Sequence, residues 1–390
     1  MQFEGYVRTD GRVGVRNTVL VVAVSDCGEP VARQMADGIP GAVSVAQYHG
    51  CLAIDVVSTL VGACINPNVH GVVLVVMGCE GQRSEPIAEQ IAKTGKPVKI
   101  VNIQEIGTAR RAIAHGRAVV TAMAQDAAAE RRTAVDITRL VVGLKCGGSD
   151  TSSGIAANPA IGVMSDMMID AGARVVMTEP IEAIGAEEEL AKRAVNETVR
   201  GEILRWVSEE ERRWSVPGAS ADFMCGGNVL GGLTTLEEKS LGAVHKSGHR
   251  PISGVLKLRP DCVQQVPQTA GFYLMEGTHM DVQTMTYLAA AGANIVVYAT
   301  GRGGSFGNAI CPIVKVTGHP ETWEKMSEDM DVNASTIMQG AESIESVGGR
   351  IFDEVLAVAS GKTTKGEELG FYNFNIWRQD PRLEALLGLK

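Results

Sequence analysis

The sequence predicts an α/β protein: a doubly wound, mostly parallel sheet with helices on both faces, followed by a second, mixed α/β domain. Three observations carry this. A short apolar, β-branched run recurs at residues 19–25, 42–46, 71–77, 98–103, 138–144 and 173–178. Between most of these runs the apolar residues fall at helical spacing, so strand and helix alternate. The runs are also continuously apolar rather than alternating, as strands covered on both faces by crossover helices must be.

These six runs and their helices make a first, Rossmann-like domain over residues 1–185. Residues 187–214 predict one long amphipathic helix, with Leu190, Val199, Ile203 and Val207 on a single stripe, and hence a connecting segment at 186–215 that marks a boundary or faces a partner. Beyond it, residues 216–390 form the second domain. Its pattern is glycine-rich loops at 224–232 and 300–307, helices over 236–245 and 281–291, and strands over 294–299 and from Pro312. The tail gathers Phe371, Tyr372, Phe374 and Trp377, a large share of the chain's aromatics, and is expected to pack on a core or on another subunit.

Composition excludes several function classes. Hydrophobic residues make up 45% and charged residues 21% of the 390, a balance too apolar for a disordered chain. Lys and Arg number 36 against 45 Asp and Glu, a net charge of −9, so no basic field exists to hold a phosphate backbone and nucleic acid is excluded as a partner. The first twelve residues carry Glu4, Arg8, Asp10 and Arg12 and no apolar core, so no secretory signal is expected and a cytoplasmic location is. The longest stretch without a charged residue, 56–79, is broken by Asn66, Pro67, Asn68 and His70, so no membrane association is expected. Eight cysteines in such a chain point to reduced thiols, metal ligands or buried residues rather than to disulfides.

In an open parallel sheet, ligands bind beyond the carboxyl ends of the strands. Cys27, Cys51, Cys79 and Cys146 all follow apolar runs, with His49 and Glu80 beside them. Thiolate and imidazole together suit iron or zinc. Cysteine is also simply a small residue that ends buried strands, and no C-x-x-C pair is present. A cluster built from four loops and a single iron held by fewer of them both remain open. Residues 145–158, KCGGSDTSSGIAAN, concentrate Ser149, Asp150 and Asn158 in one loop whose amides and hydroxyls suit carboxylate or sulfonate oxygens. Glu179 and Glu182 follow the next run and offer two carboxylates. TGRGGSFG at 300–307 lacks the Lys-Ser/Thr of a nucleotide loop and precedes a strand, so Arg302, with Ser305 in the same loop, is assigned to a small carboxylate or sulfonate. His279, just before a helix, is a candidate acid or base. Asp329, Asp331 and Asn333 are assigned to helix capping rather than to a cation.

Seven ordered segments, GYVRTDGRVGVRN, QYHGC, MGCEG, CGGSDTSSGIAANPAIG, EKSLGAVHKSG, TGRGGSFG and DMDVNAS, resemble the large chain of the altronate and galactarate dehydratase family, over nearly the whole sequence. The resemblance implies iron dependence, with nuclearity undecided, and β-elimination from a small 2-hydroxy acid, either polyhydroxy or sulfonated. Family members carry an extra small domain or a separate small subunit, so a small partner subunit is expected, and homo-oligomerisation of the large chain is open through the 187–214 helix or the tail. The resemblance assigns His49, Cys27, Cys51, Cys79 and Cys146 to the metal. It assigns Ser149, Asp150, Asn158, Arg302 and Ser305 to the substrate anion, and His279, Lys145 and Glu182, unranked, to proton transfer. One departure bears on the substrate: Met275-Glu276-Gly277-Thr278-His279 stands where the sugar-acid enzymes are expected to read roughly Met-Asp-Thr-Pro-Gly, which points to a leaving group other than water. Two readings of other classes remain: a non-catalytic scaffold subunit, and a nicotinamide dehydrogenase, which Ser25-Asp26-Cys27-Gly28 in place of a glycine fingerprint disfavours.

Overall fold

The computed structural model describes residues 1–51, 53–80, 84–215, 224–259 and 262–378. β1 (Gln2–Val7) and β2 (Val13–Gly14) pair antiparallel at the start of the chain. β3 (Thr18–Ala23), β4 (Ala42–Ala46), β5 (Val69–Val76) and β6 (Val98–Asn102) then alternate with helices and form a parallel sheet in the order β4-β3-β5-β6. All eight residues of β5, VHGVVLVV, are buried, as its unbroken apolar run requires. Val19, Val21 and Val73 face the helices Glu29–Ala36 and Ala109–Ala129, while Leu20, Val22 and Leu74 face Val57–Cys64 and Ser84–Ala92.

β7 (Thr133–Asp136) returns to pair with β1, and the second sheet begins with β8 (Val141–Cys146). It continues with β9 (Arg174–Met177), β10 (Ile252–Leu256), the short antiparallel pair β11 (Leu258–Arg259) and β12 (Cys262–Val263) outside it, β13 (Gly271–Met275), β14 (Ile295–Thr300), β15 (Ile313–Thr317) and β16 (Val332–Asn333). Seven of these form a wholly parallel sheet in the order β10-β13-β9-β8-β14-β15-β16. The doubly wound architecture expected from the sequence is therefore present twice. One hydrophobic core is common to both sheets. Val176, Val296 and Tyr298 from the seven-stranded sheet share it with Leu20 and Leu74 of the four-stranded sheet, across the helices Val57–Cys64 and Asp281–Ala290.

Two expectations need correction. The runs at 138–144 and 173–178 leave the first sheet and pair instead with β13 and β14, so the sheets divide the chain between β6 and β8 rather than at 185. Periodicity identifies a strand but carries no information about its partner. The single helix at 187–214 is two, Glu187–Ala191 and Glu197–Trp214. The break falls where Ala194 bridges to Ile252 at the edge of the seven-stranded sheet and Asn196 caps the second helix through Val199 N–H at 3.0 Å. Buried Ile203, Trp206 and Val207 pack that helix onto this sheet's core, so it is part of the second unit rather than a connector. The tail folds back on the shared core through Phe374, Ile376 and Trp377.

Candidate active site

β13, β9, β8 and β14 are neighbours, and their carboxyl ends deliver the charged groups. The chain leaves β8 for β9 on one side and later enters β14 on the other, which makes this the point where strand order reverses and ligands bind. β8 reads VVGLKC and is buried throughout. A lysine ending such a strand has to find partners, because an unpaired buried ammonium is costly. Lys145 Nζ donates to Glu179, to Asp281 Oδ1 at 2.9 Å, and to the Cys146 and His279 carbonyls at 2.6 and 3.1 Å. Burial alone would lower its pKa; the Glu179 and Asp281 charges overcome that and hold it well above the usual lysine range.

The next residue, Cys146, donates its thiol to Glu182 and accepts from Lys246 Nζ at 2.7 Å. Lys246 also donates to Glu182 at 2.9 Å, and Lys239 lies 3.6 Å from the other Glu182 oxygen. Burial, reinforced by the Glu182 charge, pushes the Cys146 thiol up to about 12. Burial opposes charge on Glu182 too, but Lys246, Lys239 and Lys145 hold it well below the usual carboxylate range. Glu179 is driven the other way: burial and then the Glu182 charge raise it to about 8. Two carboxylates in one buried cluster are thus pushed apart, the pattern that separates acid from base roles. Glu179 is also the one non-glycine residue with positive φ, +77°, among the described residues. That conformation costs roughly 1–3 kcal/mol and persists where the surroundings over-determine it. The tight turn that follows, Pro180–Ala183, brings Glu182 back to the same cluster.

His279 follows β13 at this end. Its ring stands edge-on to Trp214 with centroids 4.9 Å apart, and burial, then the Lys145 and Lys239 charges, lower its pKa. The helix begun by Asp281 supplies that carboxylate to Lys145 and to Tyr298 OH at 3.3 Å. Gly147 is required beneath them: a Cβ there would lie 2.4 Å from both Asp281 Oδ1 and Tyr298 OH.

A cavity of about 190 Å³ adjoins the cluster, with Lys239 common to both. Ser149, Asp150 and Asn158 line it as well. Ser149 Oγ and Asn158 Oδ1 are buried without a hydrogen-bond partner, whereas Asn158 Nδ2 donates to Gly242 O at 2.9 Å. Asp150 is already engaged, its Oδ1 accepting from Ser152 Oγ and from Ser153 N and Oγ. Arg302 and Ser305 are exposed and do not line the cavity; Arg302 N–H donates to Gly148 O at 3.0 Å, which joins their loop to the one after β8.

The five residues assigned to a metal separate. Cys27, Cys51 and Cys79 stand at the carboxyl ends of β3, β4 and β5 and are exposed, half-buried and exposed. Asp26 chiefly, with the Cys51 and Cys79 thiols, holds the Cys27 thiol up, so the three lie within electrostatic reach of one another. Glu80 braces this end, accepting from Ser25 Oγ, Met77 N and Gly78 N at 3.0, 2.5 and 2.8 Å. His49 Nε2 is held against the Ile376 carbonyl of the tail. Cys146 belongs to the other sheet. Among the described residues, Cys146, Glu179 and Glu182 are the one group whose ligand atoms lie within 4.8 Å of one another and could hold a metal. Lys246 donates into that group, so an ion there has to displace an ammonium.

Lys246, Lys239 and Asp281 were not singled out from the sequence. Lys239 and Lys246 lie within the segment EKSLGAVHKSG that the resemblance uses, but in helical and turn positions where only burial separates them from solvated lysines. Lys145 was legible because it ends an apolar strand.

The comparisons with known proteins agree with this architecture. Residues 137–382 match the family model described as D-galactarate/altronate dehydratase, C-terminal, and residues 5–128 match the second domain of D-galactarate dehydratase/altronate hydrolase. These two matches meet where the two sheets divide. The (2R)-sulfolactate sulfo-lyase subunit beta of Chromohalobacter salexigens is 32% identical over 385 residues, 96% of this chain and 97% of that one. The altronate dehydratase of Bacillus subtilis is 32% identical over 393 residues, covering 96% of this chain and 77% of its own length. The galactarate dehydratase (L-threo-forming) of Escherichia coli is 31% identical over 404 residues, covering 95% and 75%. With both of its sheets matched and its strand-end charges gathered at one topological switch point, the chain belongs to the galactarate and altronate dehydratase family of lyases.

Proposed function

We propose that the chain is the large component of a lyase that converts (2R)-3-sulfolactate to pyruvate and bisulfite by β-elimination. The observation that carries the reading is a half-buried His279, its pKa lowered by burial and nearby lysines, within electrostatic reach of Lys239, which lines a small cavity together with Ser149 and Asn158. His279 takes the C2 proton as the neutral base, since Lys145 is held as an ammonium and Glu182 as a lysine-bound carboxylate. Ser149, Asn158 and Lys239 hold the carboxylate and sulfonate oxygens, and Lys145 offsets charge developing on the enediolate. The C3–S bond breaks with its electron pair on sulfur, sulfite leaves and takes up a proton as bisulfite, and the enol tautomerises to pyruvate. Arg302, exposed beside Gly148, and Ser305, exposed in the same loop, serve at the mouth of the site.

Iron, when bound, supplies Lewis-acid polarisation of the hydroxy acid. Cys27, Cys51 and Cys79 are the residues that would hold it. They are soft, accessible thiols from three adjacent strand ends, and their sulfurs are not grouped as closely as one ion demands, which favours a cluster. Cys146, protonated and bound by Lys246, is left out of that set. A small partner subunit is part of this reading, on the likeness to a protein named as a subunit beta.

The relatives at 31–32% identity that are dehydratases favour a second reading, loss of water from a sugar acid to give a 2-keto-3-deoxy acid. The Glu276–His279 departure argues for the first. Sulfite release from (2R)-sulfolactate by anaerobically purified chain, with and without a co-expressed small subunit, is the test. Sulfite appearing from iron-loaded protein supports the proposal, and a 2-keto-3-deoxy acid formed without sulfite overturns it. On the same samples, Cys27→Ser, Cys51→Ser and Cys79→Ser should each lower iron content, whereas Cys146→Ser should not.

A further inference from the structure

At the opposite, amino-terminal end of β8 and β9 lies a second cavity, of about 280 Å³. It sits at the seam between the two units: Arg12, Ile65 and Pro67 come from the first, and Arg139, Arg174 and Gln265 from the second. Among the described residues, no Asp or Glu lines it. Val141 at the start of β8 lines it and Lys145 lies four strand residues further on, roughly 13 Å at the usual rise per residue, so it is not part of the reaction site.

Arg174 is the unusual group there. It opens a strand whose residues are all buried and is itself 3% exposed, yet no carboxylate among the described residues pairs with it. Its guanidinium donates to the Arg139 carbonyl at 2.6 Å, to Gln268 Oε1 at 3.1 Å and to the Pro267 carbonyl at 3.4 Å, while Nε has no partner. The charge that acts on it most strongly is of the same sign: burial, and then Arg139, pull Arg174 down to about 10. The Arg139 guanidinium has no partner among the described residues, and Arg12 is neutralised by Asp10 at 2.7 Å. A buried cation without an anion is among the more expensive arrangements a protein tolerates, and hydrogen bonds to neutral carbonyls offset it only in part.

We propose that this cavity is a binding site for a small oxyanion, held between Arg174 and Arg139 and bridging the two units. The ligand is compact, bears at least two acceptor oxygens and suits the planar fork of a guanidinium. Phosphate, sulfate and a short dicarboxylate share that chemistry. Because the anion touches elements of both units, its binding stabilises their docking and acts at a distance from the reaction site.

The test is calorimetric titration and thermal unfolding of the full chain with phosphate, sulfate and malonate, against chloride at equal ionic strength. Saturable binding of at least one anion beyond the chloride effect is expected, and which one binds identifies the source. Arg139→Glu, a substitution at an exposed position, should weaken that anion about tenfold or more, as loss of one charged partner does. Arg174→Gln should do the same where it folds. Lys239→Met, in the other cavity, should leave the affinity unchanged. Anion effects no larger than chloride's, equal effects in wild type and Arg139→Glu, or loss of binding in Lys239→Met instead, would each overturn the proposal.

Discussion

Lys246 stands 2.7 Å from the Cys146 sulfur and 2.9 Å from Glu182, inside a cluster sealed from solvent. Lys246→Met removes one member of a buried pair and leaves Glu182 poorly compensated, which should cost about 3–5 kcal/mol in urea unfolding. A loss below about 1 kcal/mol would mean the pair is not buried as drawn. Glu179 sets a pH dependence of definite sign. Its pKa rises from 4.5 to about 8 on folding, because burial and Glu182 both disfavour its charge. A folded state that binds the proton more tightly is favoured at low pH, and that contribution fades as pH climbs from 4.5 through about 8. Glu182, held below its ordinary value, acts oppositely, and its contribution is complete above that value. Glu179→Gln should therefore gain on wild type as pH rises across this window, read from urea midpoints at several pH values. Parallel curves would show that Glu179 does not titrate there. At this scale the sequence was informative only where a polar residue broke an apolar pattern: Lys145 in VVGLKC is such a break, and Lys239 and Lys246 are not.

The helices Val57–Cys64 and Asp281–Ala290 meet in the core that both sheets share, and their approach depends on one glycine. A Cβ on Gly62 would lie 2.7 Å from the Ala290 carbonyl oxygen, a backbone atom that cannot swing aside. Gly62→Ala should thus force the helices apart and destabilise by about 1–3 kcal/mol, the usual cost of overpacking, seen as a lower unfolding midpoint. A variant as stable as wild type would mean that this contact is slack. The helix that was expected to run unbroken over 187–214 also belongs to this scale. Its stripe continues across 192–196, so periodicity carries straight through, but a bridge to Ile252 competes for that backbone and Asn196 restarts the helix. Hydrogen bonding to a distant strand overrides the local pattern there.

The two units are joined by buried asparagines as well as by apolar packing. Asn68 accepts from Val15 N–H at 2.8 Å and donates to the Asn294 and Ile310 carbonyls at 2.8 and 3.0 Å, while Asn66 donates to the Ala289 and Ala293 carbonyls at 2.7 and 2.9 Å. Asn68→Ala strands several buried backbone groups, each worth about 1–3 kcal/mol when left unpaired, so a drop of about 3 kcal/mol or more is expected. Hydrogen exchange should quicken on both sides of the seam; quickening on one side alone would show that the units are not coupled through it. The tail adds a second tie, with Asn373 accepting from Ala309 N–H, Trp377 from Tyr287 OH at 2.7 Å, and Arg378 pairing with Asp55 at 2.7 Å.

By itself the sequence determined the repeating strand and helix, the placement of reactive residues at strand ends and the family resemblance, because apolar periodicity and ordered motifs are local properties of the chain. It placed Ser149, Asp150 and Asn158 in one segment that lines a cavity, although it expected a loop throughout where the chain is helical from Thr151 on. Only the tertiary structure decided that β8 and β9 join the second sheet, which separates Cys146 from Cys27, Cys51 and Cys79. It alone brought Glu179, Glu182, Lys239, Lys246, His279 and Asp281 around Lys145, and it gave neighbouring carboxylates opposite pKa shifts. Strand pairing is a contest among many apolar segments of nearly equal hydrophobicity, settled by packing over the whole molecule, and the charge a side chain carries follows from the burial and neighbours that pairing creates.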